Sequence, residues 1–484
     1  MKKTTIFNQP YHWLLLLLIV GLFFLKLEAL SLPFFWDEAW SYLPAIRVMA
    51  EQGPSIIPGS IDTELYRGHP MLFYFLSSLW IKTFGYSLPI AHLFSLFISI
   101  ILLVSVYFIT YRWTNSYFAA FLATLLLFIQ PIFLAQSTFL LSEIMLGLFF
   151  VWTFYFYFKK QWIGFGIFLV ASLLTKESAY CLVPAFVIIS GVEWYFKRID
   201  SKTFFKNILI ISLLFLIGFS FFIFQKIKFG WFFFPLHTGM IDFKEFGSKM
   251  EGSFLVLFLA QGRNIVFLIT FIIAIVSVFF LKNKLSIEKK TILISVLIFT
   301  VLFMLFASIN FFSARYLFGC IPLLMIGCTL VLNNFNKKYY SSVIITFFVV
   351  LGAINIYKSI ENKTINDVEL SYTKLLKVQV QMVDYLEKSD FKEQIYTPFL
   401  MLYNLNTTYA GFINSKKFQL TQNVLDTNNV YFINVSNEKL NEIDSLLINK
   451  KVVLLKKFEE GKAFIELYKT KESKMQNTIE QISK

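Results

Sequence analysis

Two carboxylates stand side by side in Pro33-Phe34-Phe35-Trp36-Asp37-Glu38-Ala39-Trp40, directly after a long apolar run. A carboxylate held in such a place can take a proton from a nucleophile. The pair reads equally well as helix punctuation, with Asp37 an N-cap and Glu38 a first-turn acid. The two roles are compatible, because a capping position is a well-fixed one. Tyr66-Arg67-Gly68-His69-Pro70 follows, and His69 is one of only four histidines. A solvated loop residue is the plainer reading of His69, and an interface anchor that of Arg67. More charges sit at the ends of apolar segments: Glu143, the pair Lys176-Glu177 at a tight turn, and Arg315 in Phe312-Ser313-Ala314-Arg315-Tyr316. Lys176-Glu177 also reads as a pair that neutralises itself. No role is assigned to His12, His92 or His237. The sequence shows no metal-ligand cluster, no glycine-rich phosphate loop and no Ser-His-Asp arrangement.

These residues are carried by an unusually apolar chain. Of 484 residues, 57% are hydrophobic, 60 are Phe and only 15% are charged, against about 25% charged in an average soluble domain. That excludes a disordered chain, a coiled coil, a disulfide scaffold and an ordinary soluble enzyme. Residues 1–359 hold 27 Lys/Arg and 14 Asp/Glu, whereas residues 360–484 hold 17 and 16. The basic excess therefore lies in short loops between apolar segments, a membrane-topology signature rather than a nucleic-acid footprint. Cys181, Cys320 and Cys328 lie in apolar runs without a Cys-x-x-Cys partner and read as small buried hydrophobes.

About 20 apolar residues cross the ~30 Å hydrocarbon layer. Eleven segments qualify: 12–32, read as an uncleaved first span, then 88–111, 117–135, 139–158, a short 161–175, 178–196, 205–228, 263–281, 291–310, 315–332 and 340–357. A twelfth, 70–85, is flanked by Tyr74, Trp80, Lys82 and Tyr86 and reads as interfacial. Leaving it uncrossed puts Lys2-Lys3, Arg112, Lys159-Lys160, Lys197-Arg198, Lys289-Lys290 and Lys337-Lys338 on one side, which the positive-inside rule makes the cytoplasm. The N-terminus is then inside. Loops 33–87 and 229–262 and the domain 360–484 are outside. Ala39, Trp40, Leu43, Ile46 and Ala50 recur at helical spacing, which predicts an amphipathic helix with a kink at Pro44 and a stop at Gly53. The tail reads as α/β: a helix over 367–388, a strand over 431–435, and a hairpin of 451–458 with 462–469. The expected architecture is thus an all-α polytopic domain of about eleven spans over 1–359, followed by a small extracytoplasmic α/β domain over 360–484.

On this topology the acid pair, His69 and the cations collect at the outer face, where ionisable groups are expensive and tend to be functional. The set suits a reaction in which a carboxylate deprotonates a nucleophile and cations receive an anionic leaving group. Phosphate is the natural leaving anion. Nucleotide-activated donors are expected only in the cytoplasm, so a donor used outside is membrane-borne, such as a polyprenyl phosphate.

Five motifs in order, Trp36-Asp37-Glu38-Ala39, Arg67-Gly68-His69-Pro70 with its aromatic helix through Phe84-Gly85, Leu141-Ser142-Glu143, Leu174-Thr175-Lys176-Glu177 and Ala314-Arg315-Tyr316-Leu317, resemble the GT-C membrane glycosyltransferases. The nearest group is that of the protein O-mannosyltransferases and the aminoarabinose-lipid A transferases, and the match covers about residues 10–330. The resemblance implies inverting transfer of a sugar from a polyprenyl phosphate to an acceptor hydroxyl. Asp37 matches the family's catalytic base, and Glu38 is its neighbour, orienting it or binding acceptor. Arg315 and then Lys176 are implied as donor phosphate-binding residues, with Arg67 and His69 beside them; His69 stands near where some members place a lysine. Glu143 and Glu177 support the site. No cofactor is implied beyond the lipid-linked sugar itself, and metal use varies within the fold. The expected partners are that donor and the lipid bilayer, not nucleic acid, and the inner membrane of a bacterium is the expected location. The acceptor and the oligomeric state are left open. A transporter or flippase predicts internal repeats and charges at mid-membrane, which the sequence does not show; a non-catalytic scaffold on the same fold is the other alternative.

Overall fold

The computed structural model describes residues 9–259, 272, 286–335, 341–414, 418–421, 431–438 and 452–470. The chain divides into two compact units. One comprises Met1–Leu30 and Ser41–Lys358, the other Ser31–Trp40 and Ser359–Lys484.

The first unit is helical. Among the described residues, six helices are long and apolar enough to cross a membrane: Leu88–Thr114, Glu177–Tyr195, Ser201–Phe229, Ile287–Ile309, Ala314–Asn333 and Ser341–Ile360. Burial separates them. The apolar window of Ala314–Asn333 is 83% buried, whereas those of Ser201–Phe229 and Ser341–Ile360 are 28% and 22% buried. The first is a central helix; the other two turn most of their apolar surface outward, as lipid-facing helices do. Shorter apolar helices cover Pro10–Lys26, Tyr117–Phe128, Glu143–Phe158 and Trp162–Leu173. The expected span 263–281 lies outside the described residues.

Two expected spans are interrupted. The helix over Tyr117–Phe128 stops before Gln130, which is extended (φ −76°, ψ 121°) ahead of Pro131. A residue before proline is pushed out of the α region by the ring. The span expected over 139–158 becomes helical only at Glu143. Glu143 is therefore the first residue of a helix, where the exposed backbone N–H groups favour an acid. The segment expected to lie in the interface is the helix Leu72–Phe84. Its 13 residues span about 20 Å, a length it shares with the 12-residue helices Tyr117–Phe128 and Trp162–Leu173. A wide π-type turn at Glu38–Tyr42, which contains Trp40, runs into the helix Leu43–Gln52, and Gly53 ends it with φ +116°. Pro44 thus sits in a first turn, where its missing N–H costs nothing, rather than at a kink.

The second unit holds a five-stranded sheet: β1 (Gln394–Tyr396), β2 (Gln419–Thr421), β3 (Tyr431–Val435), β4 (Val452–Glu460) and β5 (Ala463–Thr470), in the order β2-β1-β3-β5-β4. β1 runs parallel to β2 and β3, while β3, β5 and β4 are antiparallel. The hairpin turns at Gly461, whose φ is +64°. The helix Tyr372–Lys388 buries Leu375, Leu376, Met382, Val383 and Leu386 and packs on β4 and β5. Ser31–Trp40, expected as the end of the first span (31–32) and the start of the external loop (33–40), packs in this second unit instead.

Candidate functional site

Three clusters contain every residue singled out above except Arg67, which lies at the edge of one of them.

The first is built where three segments of the membrane unit meet. Glu143, opening its helix, is 2% exposed. Its Oε1 accepts a hydrogen bond from Lys176 Nζ at 2.6 Å and lies 3.4 Å from Arg315 Nε. Lys176 follows the helix Trp162–Leu173 at its C-terminal turn, and Arg315 opens a helical turn after Ser313. The centre of the Tyr316 ring lies 4.1 Å from Lys176 Nζ and 5.1 Å from Arg315 Cζ, within cation–π range of both. Tyr42 closes the cluster, its hydroxyl 3.3 Å from Ser142 Oγ and its ring stacked on Tyr74 at 5.4 Å. Burial works against the Lys176 charge, but the Glu143 carboxylate outweighs it and holds the amine above its ordinary range. Burial pushes the Tyr42 hydroxyl up to about 12 although Lys176 opposes it, so this phenol stays neutral. Within this trio, two cations gathered on one buried acid leave a net single positive charge, a receptor for an anion. Lys176 is not paired with its neighbour Glu177, so the self-neutralising reading of that dipeptide is not what the fold builds.

The second cluster adjoins the first through the peptide between Lys176 and Glu177. His69 Nδ1 lies 2.9 and 3.0 Å from the two Glu177 carboxylate oxygens. The His69 and His237 rings lie 4.6 Å apart at 34°. Backbone pairing of Leu72 N–H with Leu174 C=O at 2.8 Å brings the two segments together. Gly68 turns the chain with φ +68°, and a Cβ there would meet Phe234 Cβ at 2.9 Å and the Trp231 ring at 3.0 Å. Only glycine meets both demands. Gln225 Nε2 donates to the Gly68 carbonyl at 3.1 Å. Burial, then the neighbouring His69, pulls the His237 imidazole down to about 4. One ligand atom from each of His69, Glu177 and His237 falls within 4.8 Å of the others. Two imidazoles and a carboxylate at that spacing could hold a divalent ion of zinc type. The sequence shows no such cluster because the fold assembles it from residues 108 and 60 positions apart. Arg67, in a left-handed conformation at φ +51°, points its Nε at the Glu64 carbonyl 3.4 Å away, and its charge acts on His237.

The third cluster is the acid pair, in the second unit. Glu38 is 1% exposed, and its Oε2 accepts the Phe35 N–H at 3.0 Å. Asp37 is half-buried, and its Oδ1 accepts Trp40 Nε1–H at 2.9 Å. Of the two carboxylates, Asp37 is the one a substrate can reach, while Glu38 shapes the loop that carries it.

Tyr42, Tyr316 and His237 escape a sequence reading: the tyrosines are two of many aromatics in an aromatic-rich chain, and His237, in the short helix Pro235–Gly239, has no carboxylate or second histidine within four residues.

Residues 13–233 match the family model described as dolichyl-phosphate-mannose-protein mannosyltransferase. Two solved structures of ArnT from Cupriavidus metallidurans resemble the chain. The form bound to undecaprenyl phosphate has a TM-score of 0.56 at 11% identity, covering 95% of this chain and 98% of ArnT. The apo form has a TM-score of 0.53 at 12% identity, with the same coverage. Among curated proteins, none matches the sequence. The fold is that of ArnT, and the apolar helices are those of a multi-pass membrane protein.

Proposed function

Taking the chain as a membrane glycosyltransferase of the GT-C fold, as both comparisons support, we propose that it moves a sugar from a polyprenyl phosphate to an acceptor hydroxyl at the outer face of the cytoplasmic membrane, with inversion. Asp37 takes the proton of the acceptor hydroxyl. The acceptor oxygen forms the new bond to the anomeric carbon as the bond from that carbon to the phosphate oxygen breaks, and its electron pair leaves on the phosphate. Lys176 and Arg315 receive that charge, which stabilises the transition state where charge develops. The observation that carries this reading is the gathering of Lys176 and Arg315 on the buried carboxylate of Glu143, a preformed anion receptor in a membrane unit. ArnT, bound to undecaprenyl phosphate, supports a polyprenyl-linked donor. A divalent ion, where one is used, sits at His69, Glu177 and His237; its own test is the stoichiometry of zinc bound by purified protein, expected to fall in His237→Ala and unchanged there in a protein that binds none.

The test begins with deletion of the gene and mass comparison of lipids, glycans and glycoproteins. One sugar-sized mass is expected to disappear and to return with the wild-type gene. Asp37→Asn is expected to insert normally, to bind polyprenyl phosphate and to restore nothing. Full restoration by that variant removes Asp37 from the base role, and an unchanged mass profile after deletion counts against a transferase.

A further inference from the structure

The C-terminal unit reaches back to residues 31–40, and those residues carry the carboxylate on which the proposed reaction turns. Phe34 N–H donates to the Ala410 carbonyl at 3.0 Å. The Phe35 ring lies 5.8 Å from that of Tyr372, a side chain only 1% exposed in the core of the unit. The Trp40 ring meets Phe399 edge-on at 5.3 Å. Phe399 is fixed in turn, because the Glu438 carboxylate accepts the N–H groups of Phe399 and Leu400 at 3.1 and 3.3 Å. Between these anchors the backbone is strained. Trp36 has φ +46°, a region that costs a bulky residue energy and persists only where the surroundings over-determine it. Asp37 is the next residue, and Trp40, wedged on Phe399, donates the hydrogen bond to Asp37 Oδ1.

From this we infer that the C-terminal unit is a part of the catalytic apparatus that positions the base: Ala410, Tyr372 and Phe399 hold the Trp36-Asp37 turn, and Trp40 fixes the Asp37 carboxylate in the orientation that meets the acceptor. The inference rests on Asp37 being the base. Phe399 is the positioning residue best suited to a test, since it is 43% exposed and its truncation leaves the buried core of the unit intact. A reacting group displaced by about 1 Å costs on the order of a hundredfold in rate. Phe399→Ala is therefore expected to lower kcat at least tenfold while the KM for the lipid-linked donor and the affinity for undecaprenyl phosphate stay at wild-type values. Phe399→Trp, which keeps an aromatic edge against Trp40, is expected to restore most of the rate. Trp36→Gly relieves the strained φ but frees the turn, so it is expected to leave the melting temperature unchanged or higher and still lower kcat. Phe399→Ala turning over at the wild-type rate overturns the inference, as does an equal loss of donor affinity and rate. The base assignment fails separately, through an active Asp37→Asn; an inactive Asp37→Asn beside a fully active Phe399→Ala leaves the base in place and removes only the role of the C-terminal unit.

Discussion

Glu38 and Glu143 are both sealed from solvent, at 1% and 2% exposure, yet they do different work because their partners differ. Glu38 accepts a backbone N–H three residues away; it is a local brace. Glu143 draws in two cations from 33 and 172 residues along the chain; it is a counter-charge. Burial alone therefore says little about a carboxylate's role. What it touches decides whether removing it changes the shape of a loop or the charge of a site.

Removing the counter-charge has the largest expected consequence. Glu143→Leu leaves two cations buried without their partner, a loss of about 3–5 kcal/mol in stability, measurable by thermal unfolding in detergent. Glu143→Gln keeps the shape and removes the charge. It is expected to fold, while Lys176, still buried but no longer held charged, drops below the ordinary lysine range. Binding of undecaprenyl phosphate by that variant should then weaken as pH rises towards 9, where wild-type binding is flat. An equally flat variant would break the comparison. Next come the cations. Lys176→Ala and Arg315→Ala should each weaken binding of the phosphate-linked donor by about 1.5–3 kcal/mol, the range for a hydrogen bond to a charged group. Undiminished donor affinity and rate in Arg315→Ala would make that residue an interface anchor.

The brace is worth less. Glu38→Ala strands the Phe35 N–H, at a cost of about 1–3 kcal/mol, whereas Glu38→Gln still offers an oxygen to that N–H and should be close to wild type in unfolding temperature. Equal losses in the two variants would mean that the Glu38 charge matters, and the distinction between brace and counter-charge would go.

Part of this arrangement is legible in the amino-acid order alone. Asp37 stands out because a carboxylate directly after an apolar run is rare, and Glu143, Lys176 and Arg315 stand out because hydrocarbon tolerates few charges. Their pairing is not readable, since separations of 33 and 172 residues are set by helix packing and not by any local period. Hydropathy finds the apolar segments but not their interruptions: Gln130 and residues 139–142 leave the helix within the expected spans 117–135 and 139–158. In the tail, the helix expected over 367–388, β3 and the β4–β5 hairpin follow from periodicity and the Glu459-Glu460-Gly461 turn, though the helix opens only at Tyr372. β1 and β2, at three residues each, are too short to show a period. That residues 31–40 pack with this tail involves ring contacts such as Phe35 with Tyr372 and Trp40 with Phe399 and the hydrogen bond from Phe34 N–H to the Ala410 carbonyl, long-range contacts for which sequence carries no signal.

The smallest expected effect concerns the histidine pair. His237 faces His69 and Glu177, with the charges of Arg67 and Lys176 also acting on it. Burial and these cations favour its neutral form, so its value falls from 6.5 to about 4. The unfolded chain therefore binds more protons than the fold between those two pH values, and stability must rise with pH across that interval. The stabilising difference is fully present above pH 6.5 and is lost as pH falls towards 4. His237→Asn keeps a polar side chain of similar reach but removes the titration, and should flatten the melting temperature between pH 6.5 and 4 while leaving its value at pH 7.5 nearly unchanged. A slope as steep as wild type would assign the titration to another group, and the second cluster would then lack the neutral imidazole that either a divalent ion or a hydrogen-bonded partner requires.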